Sequence, residues 1–342
     1  MALAEHFHYP HLRAMRAILI REPGDESVLQ LGEAPSPPLG PADVRIRVRT
    51  AGVNRADLLQ RQGLYPPPPG ASPILGLECA GEVAELGANV PAFTRGQRVM
   101  ALLPGGGYAE EAVVHHSAVI PVPAAVSDEE AGGFPEVFLT AFSNLFMPGL
   151  GALAPGETAL VHGGGGGVGT AAILLLGDAG ASCFVTAGSE EKCRQCVALG
   201  ATAAINYRTE DFAARVRELT GGRGVDVVLD HIGAAYLANN LAALAPGGRL
   251  VLIGLMGGSH GDINLAQLLM RRIAVIGSTL RSRSIEEKGR IVDAFRSRFG
   301  EALDAHRLRP PIDCVLPFAQ AGEAHRRMQE SAHFGKIVLR VA

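Results

Sequence analysis

One stretch of nine residues concentrates the residue type that dinucleotide-binding loops require. Residues 162–170 read H-G-G-G-G-G-V-G-T, which contains the pattern G-x-G-x-x-G. The stretch follows a short apolar run at 158–161 and opens a long apolar segment, the order expected of a strand, a turn and a helix. Glycine there permits a tight turn and the close approach of a pyrophosphate to free amides at a helix N-terminus. A flexible glycine linker, the alternative, would not sit inside a strand-helix unit. The predicted cofactor-binding residues of this loop are Gly164, Gly166, Gly167, Val168 and Gly169.

The residues after the second strand of this unit indicate which dinucleotide is favoured. NAD-binding units usually place Asp or Glu there, about twenty residues beyond the glycine loop, to accept from the ribose hydroxyls. Here the strand ends at Gly188 and Ser189, and two glutamates follow only in the first turn of the next helix. The missing acid leaves room for a 2′-phosphate, which Lys192 can neutralise and Tyr207 can approach. The pattern therefore predicts NADPH, with these four residues as contacts.

The elements around these loops predict a fold in two parts. Between 157 and 276, apolar runs of strand length alternate with segments of helix length, which is typical of βαβ units. This half is predicted to be α/β, with a doubly wound parallel sheet of the Rossmann type. Residues 16–122 instead show short alternating runs and proline-rich turns, which favour a mainly antiparallel, barrel-like domain. Two further strand-like runs within 312–342 are expected to return to this first domain.

Composition and charge exclude several classes of protein. Lys plus Arg number 31 and Asp plus Glu number 34, so the net charge of −3 argues against a general nucleic-acid binder. No apolar run has the roughly 20 residues that a membrane-spanning helix needs. The odd count of five cysteines, with no secretory signal, argues against a disulfide framework and leaves the cytoplasm as the expected location. Residues 1–14 are expected to be an extension, with Met15 as an alternative start.

The order of several motifs carries a family resemblance. The chain resembles the zinc-independent medium-chain dehydrogenases/reductases of the quinone oxidoreductase type, the zeta-crystallin-like family. The resemblance implies a GroES-like catalytic domain over 15–138 and 282–342, a Rossmann NADPH-binding domain over 139–281, and an active-site cleft between them. It also implies a homodimer or a homotetramer. The matching stretches are the glycine loop and residues 51–57, 63–70, 76–81, 139–142 and 334–339.

Two positions separate this chain from the zinc enzymes of the same superfamily. Those enzymes carry a ligand Cys where this chain has Asn54, and the His of a G-H-E motif where it has Leu77. Leucine offers no lone pair and Asn is a poor zinc ligand, so no metal site is predicted. Without a Lewis acid, alcohol oxidation loses its route to an alkoxide. Hydride delivery to a quinone or a conjugated ketone remains feasible.

The resemblance also implies site residues in the cleft. Asn54 and Tyr65 are implied to line the nicotinamide site as the catalytic pair, donating to the acceptor oxygen as negative charge develops. The alternatives are a turn-stabilising role for Asn54 and a capping of the proline run by Tyr65. Thr140 is an implied cofactor contact, although a helix-capping role competes. The other implied cofactor contacts are Gly254, Leu255, Met256, Arg283 and Lys336.

Together these features predict an NADPH-dependent reductase of quinones or related electron-poor carbonyl compounds. Two alternatives remain at this point. One is a reductase of enones or enoyl thioesters, since the same cleft would serve either acceptor. The other is an NADPH-binding protein with a structural or regulatory role. Neither a nucleic acid nor a membrane is expected as a partner.

Overall fold

The computed structural model describes residues 13–91 and 93–342. The predicted extension over residues 1–14 therefore lies almost wholly outside the described residues. The first strand already includes Ala14, and Met15 is buried within it. This strand, β1 (Ala14–Leu19), pairs antiparallel with β2 (Gln30–Pro35).

A seven-stranded, mainly antiparallel sheet forms the GroES-like part of the molecule. Its strands run in the order β14, β15, β3, β4, β5, β7, and β6 pairs with β3. The pairing of β15 with β3 joins the C-terminal strands to the sheet of the N-terminal half. The strands are β3 (Asp43–Gly52), β4 (Glu78–Leu86), β5 (Arg98–Leu102), β6 (Glu111–His115), β7 (Val119–Pro121), β14 (Ile312–Pro317) and β15 (Lys336–Arg340).

A six-stranded parallel sheet forms the Rossmann-type part, as predicted. Its order is β10, β9, β8, β11, β12, β13, so the direction of progression reverses between β8 and β11. In open α/β sheets, ligands bind outside the carboxyl ends of the strands at such a reversal. The strands are β8 (Thr158–Val161), β9 (Ser182–Ala187), β10 (Ala203–Asn206), β11 (Val225–Asp230), β12 (Leu244–Leu252) and β13 (Ala274–Gly277).

Ten α-helices are seen in the described part of the chain, and no helix there is long and apolar enough to cross a membrane. The predicted domain change at 138–139 falls inside the third of them, which is therefore continuous across that boundary. The helices are α1 (Arg55–Arg61), α2 (Asp128–Gly132), α3 (Pro135–Phe146), α4 (Gly167–Asp178), α5 (Glu190–Leu199), α6 (Phe212–Leu219), α7 (Leu237–Ala243), α8 (Leu265–Arg271), α9 (Ile285–Asp304) and α10 (Ala321–Gln329).

Helices α3 and α9 pack through a cluster of phenylalanines. Phe142 of α3 meets Phe295 and Phe299 of α9 edge-on, with ring centroids 5.6 and 5.9 Å apart. Phe134 and Phe138 stack with centroids 3.9 Å apart. Such aromatic pairs add to the burial of their large apolar area. The cluster holds α3 in place, and the first turn of α3 borders the candidate active site.

Candidate active site

The glycine loop leaves the carboxyl end of β8 and enters α4 through a crowded turn. A Cβ on Gly169 would lie 2.3 Å from the carbonyl oxygen of Gly163, and one on Gly164 would lie 2.7 Å from the Cβ of Val185. Gly163 itself has a φ of 66°. Gly166 is the N-cap of α4 and supplies no side-chain hydrogen bond, so the first amides of α4 stay free. This backbone cradle fits the pyrophosphate of a dinucleotide.

The structure brings together the four residues predicted to select the cofactor. Ser189 is the N-cap of α5 and accepts from the backbone N of Lys192 at 3.2 Å. The Tyr207 hydroxyl approaches Gly188 so closely that a Cβ there would lie 2.7 Å from it. The ammonium of Lys192 donates to the carbonyl of Ser331 at 2.5 Å, so it already has a protein partner.

A second cation, which the sequence reasoning missed, lies near this group. Arg208 is exposed and follows Tyr207 directly. Burial lowers the pKa of Lys192, and the charge of Arg208 acts in the same direction. The charges of Lys192 and Arg208 therefore lie close enough to repel each other. Both lie on the side of the site where NAD-binding units usually carry an acidic residue and this chain does not. The position of Arg208 next to Tyr207 was the available sequence signal.

A segment of the GroES-like part docks on the glycine loop. The amide of Gly335 donates to the carbonyl of Gly165 at 2.8 Å, and Gly335 forms an isolated bridge with Gly166. Phe334 packs near the same loop, 3.2 Å from where a Cβ on Gly165 would lie. The cleft floor is thus built from both sheets, by contacts between residues about 170 positions apart in the chain.

Lys336 lies beneath this floor in a buried ion pair. Its ammonium donates to Glu78 Oε1 at 2.7 Å, Asn54 Oδ1 at 2.7 Å and the Val53 carbonyl at 2.9 Å. The Lys336 side chain is 1% exposed and that of Glu78 is not exposed at all. An ammonium has three hydrogens, and all three are used here. None is left for the cofactor contact that the family resemblance implied.

Asn54 stabilises the turn into α1, which is one of the two roles that the sequence left open. Its backbone N donates to Asp57 Oδ2 at 2.8 Å, which completes a capping box at the start of α1. Its side-chain amide donates to Glu78 Oε1 at 2.9 Å, and its amide oxygen accepts from Lys336. The second amide hydrogen makes only a long contact, to the Gly52 carbonyl at 3.5 Å. Burial raises the pKa of Asp57 to about 6.

Tyr65 is held by an arginine from the segment after β13. The guanidinium of Arg281 lies 5.3 Å from the Tyr65 ring centroid and donates to the Tyr65 carbonyl at 3.2 Å. It also donates to Gln60 Oε1 at 2.7 Å and to the Pro104 carbonyl at 2.8 Å. Arg281 therefore positions Tyr65 and is not free to bind a phosphate. Burial raises the pKa of Tyr65, so the phenol is neutral, and no described residue hydrogen-bonds its hydroxyl.

The remaining predicted contacts lie on several separate elements. Gly254 lies against His231, whose Cβ would be 3.1 Å from a Cβ on Gly254, while Leu255 and Met256 are exposed. Arg283 donates to the carbonyl of Thr279 at 2.8 Å at the start of α9. Thr140 is buried in α3. His231 is itself close to the glycine loop, since its ring would meet a Cβ on Gly163 at 2.5 Å.

Leu77 stands at the position where zinc enzymes of the superfamily carry a His. Its side chain is 1% exposed and belongs to the apolar core. Within residues 13–91 and 93–342, no group of three or more His, Cys, Asp or Glu side chains is arranged to hold a metal ion.

Two family models match separate parts of the chain, and known proteins match nearly all of it. The alcohol dehydrogenase GroES-like domain matches residues 40–124, and the zinc-binding dehydrogenase matches residues 167–295. The chain is 31% identical to the quinone oxidoreductase of Lama guanicoe, covering 96% of this chain and 98% of that protein. It is 32% identical to the synaptic vesicle membrane protein VAT-1 homolog of Rattus norvegicus, covering 92% and 81%. It is 33% identical to a phenolphthiocerol/phthiocerol polyketide synthase protein of Mycobacterium tuberculosis, but spans only 15% of that protein.

Solved structures share the fold over 96% of this chain. A mycobacterial protein complexed with NADPH superposes with a TM-score of 0.85 at 29% identity, and all of that chain is covered. A quinone oxidoreductase of Pseudomonas syringae gives a TM-score of 0.84 at 29% identity, again over its full length. A protein described as an NAD-dependent alcohol dehydrogenase gives 0.83 at 34% identity, also over its full length.

Proposed function

The chain belongs to the medium-chain dehydrogenase/reductase family, of the quinone oxidoreductase type, and we propose that it is an NADPH-dependent reductase of quinones or related electron-poor carbonyl compounds. One observation carries the proposal. The glycine cradle at the carboxyl end of β8 contacts the 334–336 segment, whose Lys336 binds Asn54, and Tyr65 of the same GroES-like part carries a neutral phenol with no hydrogen-bond partner among the described residues. A cradle for a dinucleotide and an uncharged donor for an acceptor oxygen are the two parts that such a reaction needs.

NADPH supplies a hydride when it is bound, and the residues of the chain bind and orient it. The backbone of residues 163–169 would hold the pyrophosphate at the amino end of α4. Gly188, Ser189, Lys192 and Tyr207 would hold the 2′-phosphate, with Arg208 as an additional cation. Lys192 would exchange its bond to the Ser331 carbonyl for a charge-assisted bond to phosphate. The related structures include both an NADPH complex and a protein described as NAD-dependent, so the preference rests on these residues.

On the acceptor side, Tyr65 would donate to the carbonyl oxygen as negative charge develops on it. Asn54 would exchange its long contact with the Gly52 carbonyl for a bond to the same oxygen, while Glu78 and Lys336 hold its side chain in place. Preorganised donors of this kind lower the barrier because they need no rearrangement during the reaction. No step requires a metal, and we propose that the protein acts without zinc.

The proposal is tested by steady-state oxidation of NADPH and NADH against a panel of small quinones and enones. We expect turnover of quinones with NADPH preferred, and activity that survives a chelator, with far less than one zinc per chain. Turnover of enones alone would favour the second candidate reaction. NADPH binding without turnover of any acceptor would contradict an enzymatic role and favour a structural or regulatory one.

A further inference from the structure

A carboxyl group at the amino end of α3, that of Glu136, has no hydrogen-bond or salt-bridge partner among the described residues. The backbone N of Glu136 donates to Glu78 Oε2 at 2.9 Å, which fixes this first turn above the buried ion pair. The Glu136 side chain is partly exposed, whereas nearly every other residue of α3 is buried. Within residues 13–91 and 93–342, its carboxyl group has neither a hydrogen bond nor a salt bridge. A carboxyl group that loses part of its hydration without gaining a protein partner costs free energy, which favours a ligand or a function for this one.

The surroundings of Glu136 belong to both halves of the proposed site. Its neighbour Val137 lies against the cofactor loop, where its Cγ1 would be 2.8 Å from a Cβ on Gly167. Thr140, a predicted cofactor contact, lies one helical turn further along the same face of α3 as Glu136. On the other side, the charge of Glu136 acts on the Tyr65 phenol and on Arg281. Glu136 therefore lies between the cofactor loop and the predicted donor to the acceptor oxygen.

Resting on the proposed function, we propose that Glu136 is the general acid that protonates the acceptor oxygen after hydride transfer. A quinone that gains a hydride becomes a hydroquinone anion and needs one proton to give the neutral product. In this step the O–H bond of Glu136 breaks and a new O–H bond forms on the acceptor, whose oxygen Tyr65 holds. The Glu136 carboxylate then regains its proton from water. The two electrons come from NADPH, so the overall reaction consumes NADPH, a proton and the quinone.

The charged groups around Glu136 shift its pKa in opposite directions, and burial has the largest effect on it. The carboxylates of Glu78 and Asp57 disfavour a further negative charge, whereas the ammonium groups of Lys336 and Lys288 favour it. The amino end of α3 favours it as well. Burial raises the pKa of Glu136 to about 8, with Glu78 adding to the effect. At neutral pH the group is thus protonated and able to donate, as general acids are tuned to be.

The kinetic test compares wild type with Glu136→Gln, which keeps the shape of the protonated acid but has no acidic proton. We expect the wild-type kcat/KM for a small quinone to fall above pH 8, because the donor is then ionised. Glu136→Gln should lower kcat/KM by about a hundredfold and remove this fall, with NADPH affinity unchanged. Glu136→Asp should recover part of the rate together with the pH dependence.

The matched control is Glu301→Gln, an exposed glutamate at the far end of α9, which should behave as wild type. A Glu136→Gln enzyme with wild-type rate and pH profile would overturn the assignment while leaving the proposed function standing.

A second test needs no activity. When folding raises the pKa of a carboxyl group, the protein becomes less stable as the pH rises from the unfolded-state pKa to the folded-state pKa of that group. The free energy of unfolding of wild type should therefore fall, relative to Glu136→Gln, between pH 4.5 and about 8, and the difference should then stay constant. This holds even if no quinone is reduced, so failure of the proposed function and failure of this inference are separable. A difference that does not change with pH would show that Glu136 is ionised in the fold and would overturn the inference.

Discussion

At the scale of single residues, the site depends on charges that are buried in pairs. Lys336 and Glu78 lie 2.7 Å apart with almost no exposure, and Asn54 is bound to both. Removing one member of such a pair leaves an uncompensated buried charge, which costs about 3–5 kcal/mol. These residues therefore stabilise the fold around the cleft floor in addition to forming part of the site.

We expect Lys336→Met to lower the free energy of unfolding by about 3–5 kcal/mol, because Glu78 is left buried and unpaired. The double variant Glu78→Gln/Lys336→Met should regain much of this loss, since it removes both charges. Urea unfolding at neutral pH measures the difference. Equal losses in the single and the double variant would show that the ion pair contributes packing only.

Lys192 is expected to discriminate between the two dinucleotides. A charge-assisted bond to phosphate is worth about 1.5–3 kcal/mol, so Lys192→Ala should weaken NADPH binding roughly ten- to a hundredfold. NADH lacks the 2′-phosphate and should hardly respond. Fluorescence titrations of both cofactors measure this, and an equal loss for both would refute the assignment.

Tyr65 is expected to act on the acceptor and not on the cofactor. Tyr65→Phe removes the unpartnered hydroxyl but keeps the ring under Arg281. Loss of one oxyanion donor costs about 10²–10³ in rate in a closed site. We expect a smaller loss of kcat/KM for a quinone, which accepts hydride readily, and a larger one for an enone. NADPH affinity should stay unchanged. Full activity with both acceptors would rule out the role.

At the scale of elements, the turn from β8 into α4 has almost no spare volume. Gly169→Ala would place a methyl group 2.3 Å from the Gly163 carbonyl, so the loop must shift. Overpacking of this kind costs about 1–3 kcal/mol, and we expect NADPH affinity to fall about tenfold or more. Gly177→Ala in the same helix is the control, because nothing lies within 4 Å of its Cβ position. It should stabilise α4 by up to about 1 kcal/mol and leave binding intact. Unchanged NADPH affinity in Gly169→Ala would show that the cradle is not the pyrophosphate site.

At the scale of the whole molecule, β13 forms one edge of the Rossmann-type sheet and pairs only with β12 among the described residues. The edge strand β13 has mostly exposed residues, Val275 among them, and the preceding helix exposes Leu269 and Met270 at 80% each. An unpaired apolar edge of this kind typically marks an interface. We therefore propose a homodimer formed through β13 and α8.

Light scattering after size exclusion should give two or more copies for wild type. The double variant Leu269→Lys/Val275→Lys should be monomeric, because both new charges would be buried in the interface. Val197→Lys, an exposed apolar position on α5, is the control and should leave the mass unchanged. A monomeric wild type would contradict the proposal.

Local patterns in the sequence determined the parts of this protein that depend on neighbours along the chain. The strand, glycine turn and helix at 158–178 follow from periodicity and from the need for residues without a Cβ, and the missing acid after β9 is visible in the sequence. The order of these motifs is also enough to place the chain in its family.

Only the tertiary structure decided which side chains share a buried space. Lys336 meets Glu78 across 258 positions of the chain, and Arg281 meets Tyr65 across 216. The family resemblance implied only a cofactor contact for Lys336, and in the sequence nothing distinguishes Glu136 from any other acid in the first turn of a helix. Partners and pKa values depend on burial and on long-range contacts, and neither leaves a local pattern. The fold and the glycine turn between β8 and α4 could therefore be predicted from the sequence, whereas the buried partners of Lys336 and Arg281 and the surroundings of Glu136 could not.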